Sequence, residues 1–484
     1  RAMKIAFLAS EVIPYAKTGG LADVAGALPK FLSKLGADVR VYMPLYREVR
    51  KKNLPLVPVL EDAVIDMGGK RVTFAVSSHR AGGLSVFFID QPAYFDRDQL
   101  YGTPAGDYPD NAERFAFFSR ASLETMRATG FRPDVVHGHD WQAAAAFAYL
   151  KFIYADDPFF AGTRSLFTIH NLAYQGLFEK DVLVRIGLPE SLFNMNDLEF
   201  YGKVNMLKAG ILYATAVTTV SPRYSREIQT PEFGCGLDGL LRHRAGALRG
   251  ILNGVDYQDW DPATDRLIPR NFGPADLAGK NACREELFRM FGLAAPADLP
   301  VAGMVTRLAG QKGLDIVCEA LDSLIGLGLT FVILGTGDQK IQDFLLAAQK
   351  IHPARLGLKI AFDERIAHTI YAGSDIFLIP SRYEPCGLTQ MYALKYGTIP
   401  VVRATGGLDD SIEEYDPIAG SGNGFKFAEA APEALLSAAA RSVEAFRRPE
   451  AWKDLVGKAM ASDFSWERSA AAYLDLYKKI AATA

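Results

Sequence analysis

The stretch KIAFLASEVIPYAKTGGLADVAGALP, residues 4–29, runs from a strand to a helix through a glycine turn. Residues 4–10 form an apolar, strand-like run. Pro14 lies in the connection, and Gly19 and Gly20 precede a helix expected from about Leu21. The same alternation recurs along the chain. DVRVYMP (38–44), DVVHGHD (134–140), SLFTIHN (165–171) and AVTTVSP (216–222) read as strands in the first half. PVAGMVTR (300–307), TFVILGTGD (330–338), IFLIPSR (376–382) and IPVVRAT (399–405) do so in the second. Apolar runs bounded by turns and alternating with helices are the pattern of buried parallel strands. Amphipathic stretches such as GLDIVCEALDSLIGLG (313–328) supply the crossovers. The fold class is therefore α/β, with two doubly wound domains in tandem.

At 484 residues the chain is too long for one ordinary core. The expected boundary falls near NGVDYQDWDP (253–262), which follows the strand-like GALRGILN. This gives an N-terminal domain over 1–252, a C-terminal domain over 253–463 and a final segment, 464–484. Within that segment Trp466, Ala470, Tyr473, Leu474, Tyr477 and Ile480 keep helical spacing.

Composition excludes several classes. Hydrophobic residues make up 49% and charged residues 23%, the balance of a globular protein and not of a disordered one. The formal net charge of −3 offers no basic excess for nucleic acid or an anionic membrane surface. Cys235, Cys283, Cys318 and Cys386 form no CxxC pair, so neither a zinc ribbon nor a disulfide framework is indicated. No stretch approaches the ~20 apolar residues of a membrane span, and no signal-peptide core is present, so a cytoplasmic location is expected.

In open α/β sheets ligands bind beyond the carboxyl ends of the strands, and four motifs sit there. In KTGGLADVAGALP (17–29), Gly19 and Gly20 permit close backbone approach, the helix start can turn N–H groups to a phosphate, and Lys17 adds charge. It is neither GxGxxG nor a P-loop. In TRLAGQKG (306–313), Arg307 and Lys312 form a fork and a point charge suited to a diphosphate. In SRYEPCGLTQMYALKYGTIPVV (381–402), Glu384 occupies a loop and Gly387, Leu388 and Thr389 open a helix. Its N–H groups can hold phosphate while the carboxylate faces a sugar. Cys386 has no paired base nearby, so packing is the favoured reading of its thiol. In DVVHGHDWQA (134–143), His137, His139 and Asp140 lack a further metal ligand of suitable spacing and read as hydrogen-bonding groups, as does His170 in FTIHNLAYQG. The aromatic stretch FFIDQPAYFDRDQLYG (87–102), with Tyr94, Phe95 and Tyr101, could equally stack sugar rings or fill a core.

KTGGLADV, HDWQ, FTIHNLAYQG, ILNGVD, TRLAGQKG and EPCGLTQMYALKYGTIPVVRATGGLDDS occur in this order over nearly the full chain. The ordered set resembles bacterial glycogen synthases and plant starch synthases. The resemblance implies a GT-B fold, two Rossmann-like domains facing a cleft, with the terminal helix crossing back to the first. It implies retaining transfer of glucose from ADP-glucose to an α-1,4-glucan, with no metal and no other cofactor. Carried over by position, Arg307, Lys312 and the Gly387–Thr389 loop would hold the diphosphate, with Cys386 among the substrate-binding residues, and Lys17 would reach the distal phosphate or the sugar. Glu384 would face the glucosyl ring. Asp23, Asp140, His170 and Asn253 would build the sugar and acceptor subsite, with Glu11 beside them. Phe362, in IAFDER, stands where related synthases often carry Tyr near the nucleotide base; it keeps the stacking face and loses the hydroxyl.

The alternatives on sequence are a GT-B transferase or epimerase using another nucleotide-sugar, or a glucan- or nucleotide-binding protein without turnover. A phosphorylase shares the architecture but needs pyridoxal phosphate.

Overall fold

The structure, a computed structural model, describes residues 1–294 and 298–482. The chain divides into two compact units. The first comprises Arg1–Val220, Ser225–Ile251 and the terminal helix Trp466–Ala482; the second comprises Ser221–Tyr224 and Leu252–Ser465.

The first unit is built on a nine-stranded sheet. Its order is Leu248–Gly250, Ala216–Thr219, Arg164–Ile169, Val135–His139, Lys4–Leu8, Asp38–Pro44, Leu84–Asp90, Lys70–Ala81, Val57–Met67. Strands as far as Leu84–Asp90 pair in parallel, and the last two add an antiparallel hairpin. Four residues of Lys4–Leu8 are buried, as a strand covered on both faces requires. The helix Gly20–Lys34 buries Leu21, Val24, Leu28, Phe31 and Leu32 on one stripe. Asp23 in its first turn and Lys34 in its last complement the helix dipole. The terminal helix packs against Gly20–Lys34 through a face that includes the buried Trp466, Ala470, Tyr473 and Tyr477.

The second unit has six parallel strands in the order Leu356–Lys359, Thr330–Leu334, Val301–Val305, Ile376–Ile379, Ile399–Arg403, Phe425–Phe427. The helix Leu314–Gly326 supplies the first crossover. It buries Leu314, Val317, Leu321 and Leu324.

All nine strands expected from the apolar runs are present. The hairpin Val57–Met67/Lys70–Ala81 was not expected. It is two-faced: one face of Lys70–Ala81 buries Val72, Phe74 and Val76, while Arg71 and Thr73, alternating with them, are exposed. Such strands lack the continuous apolar run that marks a central parallel strand.

Each sheet reverses its winding once. In the first unit Lys4–Leu8 lies between Asp38–Pro44 and Val135–His139. In the second, Val301–Val305 lies between Thr330–Leu334 and Ile376–Ile379. Loops leaving the two strands at such a switch point diverge and open a crevice.

Candidate active site

In the first unit the crevice loops follow Lys4–Leu8 and Val135–His139. Glu11 is buried, 2% exposed, and its carboxylate is the hub of the first loop. It accepts from the Thr18 and Gly19 backbone N–H groups at 3.2 and 2.9 Å, from Thr18 Oγ1 at 2.5 Å and from Tyr101 Oη at 3.1 Å. Gly19, expected to let the backbone approach a ligand closely, has its amide turned onto Glu11. Gly20 is exposed, and a methyl group there would meet nothing within 4 Å. Lys17 is half-exposed and pairs with Asp23 at 2.8 Å. Tyr94 packs at a tilt against Phe117, ring centroids 5.3 Å apart, and edge-on to Phe95 at 6.2 Å, within an aromatic cluster. The hydroxyl of that stretch that touches the site loop is that of Tyr101.

Beyond the neighbouring strands, Asp140 Oδ1 accepts the His170 backbone N–H at 2.8 Å. Burial pushes the Asp140 carboxyl up to about 7, against the lowering effect of that amide. His139 Nδ1 lies 2.9 Å from His170 Nε2. His137 bridges Tyr477 Oη at 2.7 Å and Thr168 Oγ1 at 2.6 Å, a buried structural role. Among the described residues no group of three or more His, Cys, Asp or Glu is placed to hold a metal ion.

In the second unit the strand Val301–Val305 leads into Arg307 and Lys312, and Ile376–Ile379 leads into Glu384. Lys312 Nζ donates to Glu384 Oε2 at 2.7 Å, and Ser381 Oγ donates to the same oxygen at 3.0 Å. Both partners are largely buried, with side-chain exposures of 21% and 12%. Arg307 is exposed and touches Gln311 Oε1 at 3.1 Å, while Gln311 Nε2 donates to the Tyr383 carbonyl at 2.7 Å. The two loops are thus tied through Gln311 as well as through the ion pair. Gly313, at φ +73°, sits where a methyl group would come within 2.0 Å of the Pro380 carbonyl, so backbone touches backbone.

The loop carrying Glu384 is clamped from its other side by Gly406 and Gly407. Gly407 N–H donates to the Glu384 carbonyl at 3.1 Å, and a methyl group on Gly406 would lie 1.8 Å from that oxygen. Gly387, at φ +70°, has no room for a side chain beside Gln390 Oε1. Gln390 Nε2 in turn braces the Cys386 and Gly387 carbonyls. Gly387, Leu388 and Thr389 remain partly exposed at the start of the helix Thr389–Lys395. Burial pushes the Cys386 thiol up to about 12, with the Asn253 backbone N–H facing it, so Cys386 is a packed thiol and not a thiolate nucleophile. Asn253 is buried, and its Oδ1 has no partner among the described residues. Phe362 is 94% exposed after the strand Leu356–Lys359, with no ring partner among the described residues.

The expected residues therefore gather into two sets, one per unit. Glu11, Lys17, Gly19, Gly20, Asp23, Asp140 and His170 border the first crevice, with Tyr94 outside their hydrogen-bond network. Arg307, Lys312, Glu384 and Cys386–Thr389 border the second, with the Asn253 backbone N–H facing Cys386 and the exposed Phe362 outside their hydrogen-bond network. Thr18, Ser381, Gln311, Gln390 and the Gly406–Gly407 pair were missed, and Tyr101 was read only as a stacking or core aromatic. Tyr101, Gln311 and the Gly406–Gly407 pair act on partners distant in sequence, while Thr18, Ser381 and Gln390 act within their own loops through side-chain hydrogen bonds that periodicity does not reveal.

Comparison with known proteins bears on the family and the fold. Residues 4–243 match the starch synthase catalytic domain family, and residues 287–454 match the glycosyl transferases of group 1. The catalytic domain of starch synthase IV from Arabidopsis thaliana, solved bound to ADP and acarbose, superposes with a TM-score of 0.89 at 35% identity, over 99% of this chain and 100% of that one. Sucrose-phosphate synthase from Thermosynechococcus elongatus, at 17% identity and a TM-score of 0.60, shares the fold. Two Rossmann-like units of this kind define a glycosyltransferase of the GT-B class. Glycogen synthase of Koribacter versatilis is 50% identical over 99% of this chain and 98% of its own. That of Anaeromyxobacter dehalogenans is 49% identical over 99% and 100%. The chain belongs to the glycogen synthase family, and it is a glucosyltransferase.

Proposed function

We propose that this protein elongates an α-1,4-glucan with glucose from ADP-glucose, retaining the α configuration and using protein cations in place of a metal. The observation that carries this reading is the Lys312–Glu384 pair at the switch point of the second sheet, a cation and an anion held together at the place where α/β sheets bind ligands. The ADP and acarbose bound to the starch synthase neighbour support the choice of donor nucleotide and of a glucan acceptor.

The chemistry follows from the leaving group. A nucleoside diphosphate departs as a stable anion, so it needs charge compensation more than a strong acid. Lys312, Arg307 and the N–H groups at Gly387–Thr389 provide it in this reading, with Lys17 reaching the distal phosphate or the sugar. The bond from the glucosyl C1 to the phosphate oxygen breaks, and a bond from C1 to the acceptor hydroxyl oxygen forms on the same face. The acceptor proton passes to the departing phosphate oxygen. Glu384 stabilises positive charge developing on the ring. Asp23, Asp140, His170 and Asn253 orient sugar hydroxyls, and Phe362 offers its open face to the base. Glu11 serves the site by holding the Thr18–Gly19 turn. The location expected for such an enzyme is cytoplasmic.

The test is purified protein with glycogen and each labelled donor in turn, before and after exhaustive EDTA treatment. A higher kcat/KM with ADP-glucose, unchanged by EDTA, and new linkages cleaved by an α-1,4-specific amylase are expected. Equal or better use of UDP-glucose overturns the donor assignment. Activity lost to EDTA and restored only by a divalent ion overturns the charge assignment.

A further inference from the structure

Val135–His139 and Arg164–Ile169 are neighbouring parallel strands, with His139 opposite Thr168. The residues that follow them therefore emerge side by side. His139 Nδ1 lies 2.9 Å from His170 Nε2. The next residue, Asp140, adopts φ +57°, and its Oδ1 accepts the His170 backbone N–H at 2.8 Å. Consecutive residues thus hold His170 at two points, one on the ring and one on the main chain. A left-handed conformation is uncommon outside glycine, and here it accompanies two adjacent side chains reaching one target.

The His139 ring is fully buried and fixed by its neighbours. Its centroid lies 4.1 Å from that of Phe7 and 4.0 Å from that of His137. His137 is itself pinned by Tyr477 of the terminal helix and by Thr168. Burial drives the pKa of all three histidines down, to about 3 at His170, so the rings are neutral. A neutral imidazole carries one N–H and one bare nitrogen. The contact between His139 and His170 therefore holds a single proton.

Two arrangements satisfy it. His139 Nε2 is buried with no partner among the described residues. If His170 supplied the proton, His139 would carry its own on Nε2, a buried N–H with nothing to accept it. If His139 Nδ1 supplies it, the stranded group is a bare acceptor. Among buried backbone groups stranded donors are the rarer kind, and the same preference favours the second arrangement. His170 Nε2 then accepts, and the His170 proton sits on Nδ1. That atom has no partner among the described residues, and His170 is partly exposed.

We propose that His139 is a positioning residue that fixes the tautomer of His170, donating from Nδ1–H to His170 Nε2 so that His170 Nδ1–H is presented to a sugar hydroxyl. The sugar contact rests on the reading of His170 under Proposed function; the tautomer does not.

The full-length protein, labelled with 15N-histidine, decides the tautomer directly. In a long-range 15N–1H spectrum, with His170→Ala used to assign the signals, His170 should show a protonated Nδ1 and a bare Nε2. A protonated Nε2 on His170 overturns the proposal, and this measurement needs no variant at His139. His139→Phe, which keeps a ring against Phe7, should lower kcat by roughly 10–100-fold, by analogy with losing the partner that orients a metal-bound imidazole. ADP affinity should be unchanged. His139→Asn, whose amide N–H lies near the place of Nδ1, should recover most of the loss. In a His170→Ala background His139→Phe should cost nothing further, and an additive loss would show a merely structural role. Normal turnover in His170→Ala alone overturns the sugar contact, and leaves the tautomer to the spectrum.

Discussion

Lys312 and Glu384 are 72 residues apart in sequence, yet Lys312 Nζ lies 2.7 Å from Glu384 Oε2. A cation assigned to phosphate is thus paired with a carboxylate assigned to the sugar. The pair keeps each charge neutralised within a largely buried crevice, where an isolated charge would be costly.

Glu384→Gln separates the two roles. Turnover should fall by roughly 10²–10³-fold, the range for losing one preorganised electrostatic group. ADP affinity should rise, because Lys312 loses a competing anion. Steady-state kinetics and calorimetry check both halves. Near-normal turnover removes Glu384 from the mechanism.

Lys312→Ala and Arg307→Ala should each lower kcat/KM by roughly 10²–10³-fold if both stabilise the departing diphosphate. Lys312→Ala should also lower the melting temperature, since it leaves Glu384 buried with Ser381 as its remaining side-chain donor. Exposed Arg307 should show no such effect. Unchanged kcat/KM in both variants places the diphosphate elsewhere.

Gly20→Ala tests the first loop. Space around Gly20 is open, and alanine is the better helix former by roughly 1 kcal/mol, so stability should hold or rise. If ligand fills that space, the methyl group should raise the KM for donor or acceptor. Unchanged kinetics would make Gly20 an ordinary helix start.

Gly406→Ala should damage both fold and function. Its φ is +47°, and the added methyl group would lie 1.8 Å from the Glu384 carbonyl. A lowered melting temperature with a raised KM for ADP-glucose is expected. Relieving the clash moves either the Gly406 turn or the loop that carries Glu384, and both belong to the clamp around it.

Asp140→Asn gives a pH signature. The folded pKa is raised to about 7 from the ordinary 3.8. Between those values the folded chain binds more protons than the unfolded chain, so stability falls as pH rises through this window and then levels off. Asparagine keeps an acceptor for the His170 amide without that loss. Melting curves at pH 5 and pH 8 should show the variant gaining on the wild type at the higher pH, by about 2–4 °C per kcal/mol. Parallel curves would mean that the carboxylate is better hydrated than its surroundings imply.

Period and punctuation carried much of the fold. TFVIL (330–334) is buried throughout and DVRVYMP (38–44) buries all but Asp38 and Arg40, because a parallel strand covered on both faces must be largely apolar, and that demand is visible in one dimension. The glycine turns and the charged groups at strand ends were legible for the same reason, since local backbone geometry and position after a strand are properties of short segments. What only the tertiary structure decided is which of these groups touch. Glu11 faces the Thr18–Gly19 turn and Tyr101, not open solvent; Gly406 abuts the Glu384 carbonyl; His139 meets His170; and Tyr101, rather than Tyr94, reaches the first loop. These pairings depend on the strand order and on the switch point in each sheet. Sheet order is set by how all the strands bury their faces together, so no single segment encodes it.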